Sequence, residues 1–508
     1  MNISQILAFP LLAATAHSFA ADLPAGDRRS EQAAESVQQH QWLETLQQDS
    51  AASAAPNEAV NVRQVNDEEL ARNPALLEEM LQQAVNSNHP PLLEALTAVY
   101  RRQPQADKVL LARAESMVAR NQGDYPQALE TYGRLNRQHP QDARIALDYA
   151  ALLFEDKQWQ ESDRLFAQTA QTANLPEAVA DNIRRYRAQI DEADDWQLNG
   201  GLSVSYDRNI NNAAPAYCTY LGCTTEQAEN ATGIHYHAEL EKNTPLKGHH
   251  NLTFRNRISG TSYYLDKKSQ YDHAFGRSYL GWYYQNARSS LSVLPFYQAQ
   301  LAGSNEFADK PTDEHTLNMN MFAHAVGVQT AWSHRITPRL QAYASGELYR
   351  QSYRPQQKST YYDGRHAQLF GSLAYQLGAN DLVFAGYGNG TFRPKHTQID
   401  GRTNHTAHTR HSLSAGWFAA WPTLGGLASR LRAGYTDRRY KGRVFNTDFT
   451  PERQRNKETF FSASLAHPKI SYHGIMPRLT FEHSRTRSTH KWAEQKQSRL
   501  FVELEKSF

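Results

Sequence analysis

The sequence predicts an α plus transmembrane β fold: an α-helical repeat domain followed by a fourteen-stranded antiparallel β-barrel of the outer-membrane kind. Three observations carry that prediction. Charge splits the chain: residues 1–195 hold 17 Lys+Arg against 29 Asp+Glu, and residues 196–508 hold 37 against 23. A formal net charge of +2 therefore hides two halves of opposite sign, the usual mark of two domains. A 34-residue repeat occupies the acidic half. From Trp196 onward the apolar period falls from 3.6 to two, and short connections alternate with long ones.

Residues 1–20 read as a signal peptide. Ile6 to Ala16 is a short apolar stretch, and Ser18-Phe19-Ala20 puts small residues at −3 and −1 for cleavage before Ala21. No run of eighteen apolar residues occurs anywhere, so no membrane-crossing helix is expected. Residues 21–72 are rich in Gln, Ala, Ser and Glu without periodicity. Such a segment buries too little surface to offset its chain entropy, so it is expected to be largely disordered.

Helical structure is predicted over 73–192, opening at Asn73-Pro74, a capping residue followed by proline at the first helical position. GDYPQALETYGRLNRQHP (123–140) and KQWQESDRLFAQTAQTANLP (157–176) repeat at a fixed offset. Tyr125 matches Trp159, Ala128 matches Ser162 and Tyr132 matches Phe166, each 34 residues apart. An aromatic, a small residue three on and an aromatic four further is the tetratricopeptide pattern. The small residue lets paired helices approach, and the aromatics fill the seam. A more degenerate unit is expected around PLLEALTAVYRRQP (91–104). The plainer alternative is an irregular helical bundle. Solenoids of this kind present a groove to peptides or partner proteins, so the region reads as a binding module.

The second domain, 196–508, contains runs such as WQLNGGLSVSYD, GIHYHAELEKN and RLFVELEKSF, each alternating apolar and polar residues. Short turns are expected near 244–250, 286–289, 335–338, 378–380, 422–426 and 468–474. Seven longer connections are expected, among them 208–230, 303–315, 354–363, 394–401 and 442–452. Six turns and seven loops make fourteen strands, with turns on the periplasmic side. Leu413, Ala415, Trp417, Ala419 and Trp421, with Leu369, Gly371, Leu373 and Tyr375, are expected to face lipid. The strand 499–508 is expected to close the ring against one starting at Trp196. In that scheme Trp196 and Leu504 lie at the closure, and Phe508 is the terminal aromatic that marks a barrel for insertion. A soluble β-sandwich is the alternative, and it accounts for neither the even strand count nor the terminal aromatic.

The other parity lines the lumen, with Arg255, Arg257, Arg430, Arg432, Arg438 and Arg478 on it. This is either a solvated polar interior or a basic surface for an acidic chain in transit. Cys218 and Cys223, the only cysteines, suit a local disulfide in an exported loop. A metal would need two further ligands. His235 with His237, and His249 with His250, form pairs that 21 histidines produce readily. They are read as solvated, not as metal or haem ligands. No nucleophile–base constellation stands out, so no catalytic residue, cofactor or metal is expected.

These stretches resemble one family. NPALLEEM (73–80) opening a tetratricopeptide region, NGGLSVSYDRNIN (199–211) opening a barrel, and HGIMPRLTFEHSRTRS (473–488) before RLFVELEKSF are similar to the surface lipoprotein assembly modulators (Slam). The Cys218–Cys223 loop is not part of that likeness. The resemblance implies a non-enzymatic outer-membrane translocon that moves particular lipoproteins, or haem- and iron-scavenging proteins, from the periplasm to the cell surface. Expected partners are those substrates, a periplasmic chaperone, the barrel-assembly machinery and outer-membrane lipid, with no nucleic acid. The alternatives are an exopolysaccharide export porin, which also joins such repeats to a barrel, and a passive anion-selective porin.

Overall fold

In the computed structural model, residues 70–172, 175–219, 222–223, 227–307 and 318–507 are described. The expected signal peptide, the leader up to residue 69 and Phe508 lie outside them. Helical structure is already present at Leu70, which is buried in the first core ahead of the expected start. Seven helices follow: α1 (Pro74–Ser87), α2 (Pro90–Tyr100), α3 (Lys108–Gln122), α4 (Tyr125–Gln138), α5 (Ala143–Glu155), α6 (Trp159–Thr169) and α7 (Glu177–Ala193). Their starts are written in the sequence. Asn73 accepts from the Leu76 amide, Asp107 from Val109, Asp124 from Gln127 and Asp142 from Arg144, each occupying a donor the helix cannot satisfy itself.

Each helix packs on the next, and the repeat positions form the seam. Ala128 and Ser162 are 0% exposed, and Tyr132 and Phe166 are 1% exposed. The Ser162 hydroxyl donates to the Ala150 carbonyl at 2.8 Å, which allows a polar atom at a position that must stay small. Phe166 stacks on Tyr186, and Trp159 meets Phe154 edge-on at 5.1 Å. Tyr132 donates to Asp148, which also pairs with Arg113 at 2.8 Å. Burial, and then the Asp148 carboxylate, push the Tyr132 hydroxyl above the usual tyrosine range, so it remains a donor.

The barrel strands are β1 (Gln197–Asp207), β2 (Ala231–Pro245), β3 (His250–Ser262), β4 (His273–Gln285), β5 (Ser289–Ala302), β6 (Asn320–Thr337) and β7 (Leu340–Tyr353). The ring continues through β8 (Gly364–Gly378), β9 (Asp381–Pro394), β10 (His408–Trp421), β11 (Leu427–Phe445), β12 (Pro451–Ala466), β13 (Met476–Ser488) and β14 (Gln495–Ser507). Each pairs antiparallel with its sequence neighbours, and β14 returns to β1 to close the ring. The six turns fall where the alternation broke. The 442–452 loop is shorter than expected, because β11 runs on to Phe445 past a register shift between Arg439 and Arg443.

The outer face is apolar: Leu348, Leu369, Leu373, Leu413, Leu500 and Val502 all stand exposed. An apolar belt of this extent is stable against lipid, not water. Ala419 differs from expectation. It lies on the outer parity but is buried, because Trp417 and Trp421 meet edge-on at 5.8 Å across it.

The seam runs from Asn199–Ser507 to Val204–Val502. Leu504 sits in it opposite Leu202. Trp196 does not; it precedes β1 and packs instead on Phe254 at 5.8 Å, under the Lys242 ammonium. Beyond Val204, Ser205–Asp207 of β1 pair with β2 and not with β14. Side chains bridge there instead, with Arg499 donating to Asp207 at 3.4 Å.

This register predicts that L202C/L504C forms a disulfide under copper phenanthroline and locks the seam, visible as altered migration on an unreduced gel. Offset by four residues, or about 13 Å along the strand, L202C/L500C should not cross-link. Cross-linking of the offset pair alone would contradict the register.

Candidate functional site

The helical domain is bolted to the turn side of the barrel at one edge. Asp156, buried at the end of α5, accepts from the Ala287 amide at 3.2 Å and pairs with His249 Nε2 at 2.6 Å. These two partners belong to the β4–β5 and β2–β3 turns, so one carboxylate gathers both. Glu161 accepts from the Gly248 amide at 3.1 Å, and Gln160 donates to the Pro245 carbonyl at 2.9 Å. Arg288 donates to the Gln122 carbonyl at 2.9 Å, capping α3 from outside. Gly123 makes this possible twice over: its φ of +80° ends the helix, and a Cβ there would lie on the Arg288 guanidinium. Lys242 donates to the Asp194 carbonyl at 2.7 Å, tying the end of α7 to β2. These contacts set the repeats beneath the first strands of the barrel.

Inside the barrel, polar side chains pack on one another. Arg277 of β4 is 0% exposed and donates to Glu347 of β7 at 2.9 Å, reaching past two intervening strands. Gln298 accepts from its Nε and Nη2 at 3.0 and 2.6 Å, and Gln329 donates to the same Glu347 oxygen at 2.7 Å. The guanidinium lies 4.2 Å from the Phe296 ring centroid, a cation over an aromatic face.

From this point an arc of rings follows the inner wall. Tyr279, Phe296 and Tyr349 are in contact, Tyr349 stacks on His366 at 4.5 Å, and His366 stacks on Phe392 at 4.6 Å. The arc continues through His408 to Tyr440 on β11. Phe296 of β5 and Tyr349 of β7 meet across β6 because Gly327 stands between them; a Cβ there would lie 2.4 Å from Tyr349 Cβ.

The loop side is folded inward. The short helix α8 (Gln356–Tyr362) fills the β7–β8 loop, and Tyr362 packs with Phe307, Phe322, Tyr353 and Tyr440. Asn404 and Thr406 of the β9–β10 loop both donate to the Tyr361 carbonyl, at 3.1 and 2.7 Å. Two outer loops are thus fastened to each other over the mouth.

The six arginines named from parity all sit on the inner face, but three are neutralised. Arg255 pairs with Glu241 at 2.5 Å, Arg257 with Glu239 at 2.7 Å and Arg438 with Glu458 at 3.2 Å. Arg430 and Arg432 each lie 5.8 Å from a phenylalanine ring, and Arg478 is buried opposite Glu503. Half of the named arginines are thus held by carboxylates, so the inner face is not a bare basic surface. Two-letter alternation along single strands does not reveal this, since the carboxylates come from neighbouring strands.

Cys218 and Cys223 are joined by a disulfide in the β1–β2 loop. His235 uses both ring nitrogens, with Ser205 at 2.7 Å and Thr261 at 2.8 Å. Asp207 touches Ser205 and the same His235 nitrogen, Nε2, which is not the arrangement that activates a serine. His249 is the docking residue already described, and His250 accepts from the Trp282 indole at 3.1 Å. Reading by sequence missed Asp156, Arg277, Glu347 and the aromatic arc. A charged residue of inward parity in mid-strand is the signal that would have singled out Arg277 and Glu347.

Comparison with known proteins agrees with this two-part layout. Residues 196–508 match a family described as "Surface lipoprotein assembly modifier", and residues 63–166 match the description "Surface lipoprotein assembly modifier, N-terminal TPR repeats". Surface lipoprotein assembly modifier 2 of Neisseria meningitidis serogroup B is 40% identical over 88% of this chain and 89% of its own. Surface lipoprotein assembly modifier 1 of the same organism is 29% identical over 88% and 86%. Among solved structures, the toluene transporter TodX of P. putida overlays 62% of this chain and 90% of its own at 13% identity and TM-score 0.31, a likeness too slight to carry any argument.

The Arg277–Glu347 pair gives a direct test of the packed lumen. Arg277→Met leaves a buried carboxylate without its cation and is expected to destabilise the barrel by about 3–5 kcal/mol. Arg277→Met/Glu347→Leu should recover most of the loss. The readout is the urea midpoint at which heat-modifiable gel migration disappears. An unchanged midpoint for Arg277→Met would contradict the account.

Proposed function

The chain belongs to the surface lipoprotein assembly modifier family, and from that premise we propose that it carries particular lipoproteins from the periplasm across the outer membrane to the cell surface. Family membership over both halves is the observation that carries this reading, since the repeats and the barrel match together. The barrel supplies the route and lies in the outer membrane with the helical domain on its periplasmic side. In this reading the repeats hold the cargo, or a chaperone delivering it, at the turn-side entrance where Asp156 and Arg288 fix them. The outer loops and the lumenal ion pairs form a closed resting state that cargo displaces. Folding of the cargo outside supplies the pull. An amino-terminal signal peptide delivers the chain to the periplasm, and the barrel-assembly machinery inserts it.

The test is deletion of the gene followed by staining of intact cells for each candidate surface lipoprotein. Display of at least one should fall sharply while its total amount is retained. Complementation with a version lacking residues 21–192 should restore a heat-modifiable barrel but little display. Unchanged lipoprotein display with failed polysaccharide export would overturn the translocon in favour of a polysaccharide porin. Full display without the repeats would overturn their role.

A further inference from the structure

Arg255, Arg257, Arg277 and Arg438 of the lumen are each paired with a carboxylate, so they do not account for the excess positive charge of the barrel half. Much of it lies outside. Arg350 on β7, Arg365 on β8 and Arg393 on β9 all share the outward parity of Leu348, Leu369 and Tyr387, and all three are exposed. The strand register sets Arg365 directly opposite Arg350 on one side and directly opposite Arg393 on the other. Three guanidinium groups thus stand in a row on three adjacent strands, spanning about 10 Å. Like charges directly opposed across strands oppose pairing. None of the three forms an ion pair with a described residue. Among the described residues nothing accounts for the row.

The row also sits at one height. It borders the apolar belt at the loop end of the strands, two residues beyond Leu348. Further round the barrel, register opposes Lys457 to Arg487 and Arg485 to Lys496, again exposed and outward. The turn end is different. There the belt is bordered by Trp282, Trp332 and Trp421, as at an ordinary lipid interface. The chain itself shows what an anion does between such cations. Arg439 and Arg455 are opposed in the same way on β11 and β12, and Asp437 accepts from both at 2.7 Å. Beside Arg365 no carboxylate plays that part.

We infer that Arg350, Arg365 and Arg393 form a binding site for the phosphate groups of the phosphorylated glycolipid in the outer leaflet. Guanidinium forks match phosphate oxygens, and three of them meet the charge of a headgroup phosphate at the depth where that leaflet carries it. The acyl chains then lie against Leu348, Leu369 and Leu373. The site depends on the outer-membrane setting and is independent of the cargo.

The experiment uses the full-length protein, purified in mild detergent and stripped of lipid. Rough lipopolysaccharide, the same glycolipid with its phosphates removed, and inorganic phosphate are the probes, and retained lipid is read by native mass spectrometry. The wild-type protein should retain the phosphorylated glycolipid and release the dephosphorylated one. R350Q/R365Q/R393Q should bind the phosphorylated form at least about tenfold more weakly, while R350K/R365K/R393K keeps part of the affinity. Heat-modifiable migration checks that each variant is folded, and the dephosphorylated arm decides on wild-type protein alone if one is not. Equal retention of both glycolipids, or undiminished binding by the folded glutamine variant, would overturn the proposal. Displacement of the glycolipid by millimolar inorganic phosphate would overturn it too, by marking a free-phosphate site.

Discussion

Hydrocarbon offers no hydrogen-bond partner to a backbone amide, so an open edge of this sheet would strand a row of donors and acceptors in lipid. Fourteen strands avoid that only if β14 returns to β1, and the register from Asn199–Ser507 to Val204–Val502 is where the ring is joined. Closure fixes the parity of every strand, and parity then decides which residues meet lipid and which fill the lumen. The paired charges within, the apolar belt without and the arginine row at its upper border all follow from that one constraint. The seam is also where the ladder is shortest, since the loop-side end of β1 is held by Arg499 and Asp207 instead of backbone pairing.

The two ends of the barrel are treated differently. At the turn end, Asp156 draws two turns onto the helical domain, and Arg288 closes the last turn of α3 in the space Gly123 leaves. The Ala287 amide and the Gln122 carbonyl are backbone partners, and the His249 imidazole adds a side-chain partner at the same Asp156 carboxylate. At the loop end, α8 and the β9–β10 loop are fastened to each other through the Tyr361 carbonyl. On the proposed route, a cargo meets an ordered entrance, a lumen that holds several ion pairs and a latched exit. Opening requires exchange of internal partners for partners on the cargo, which suits a polar chain better than a small solute.

Much of this was legible in the sequence, for reasons that differ by element. Tyr132 and Phe166 declared themselves because a solenoid reuses one seam, so the same residue types recur at one offset. Leu500 and Val502 declared themselves because alternation is strict where one face meets lipid. Arg277 and Glu347 did not, because their pairing depends on the registers of three successive ladders between β4 and β7. Asp156 did not either: its partners are 93 and 131 residues away in sequence, and nothing local marks a carboxylate that will cap two turns. Parity read strand by strand finds the inward arginines but not the carboxylates that neighbouring strands bring to Arg255, Arg257 and Arg438. Outward parity puts Arg350, Arg365 and Arg393 on the outer rim, and register brings the three into one row. Trp196 was placed at the closure for its position in the chain, whereas its bulk suits the interfacial girdle beside Phe254.

On the proposed route, cargo passes inside the ring. A photo-cross-linking amino acid at Ser345 or Thr480, both facing the lumen, should capture a lipoprotein halted in transit. The same probe at the nearby outward positions Leu348 or Leu479 should not. Capture at the outward positions alone, with display proceeding normally, would contradict the account.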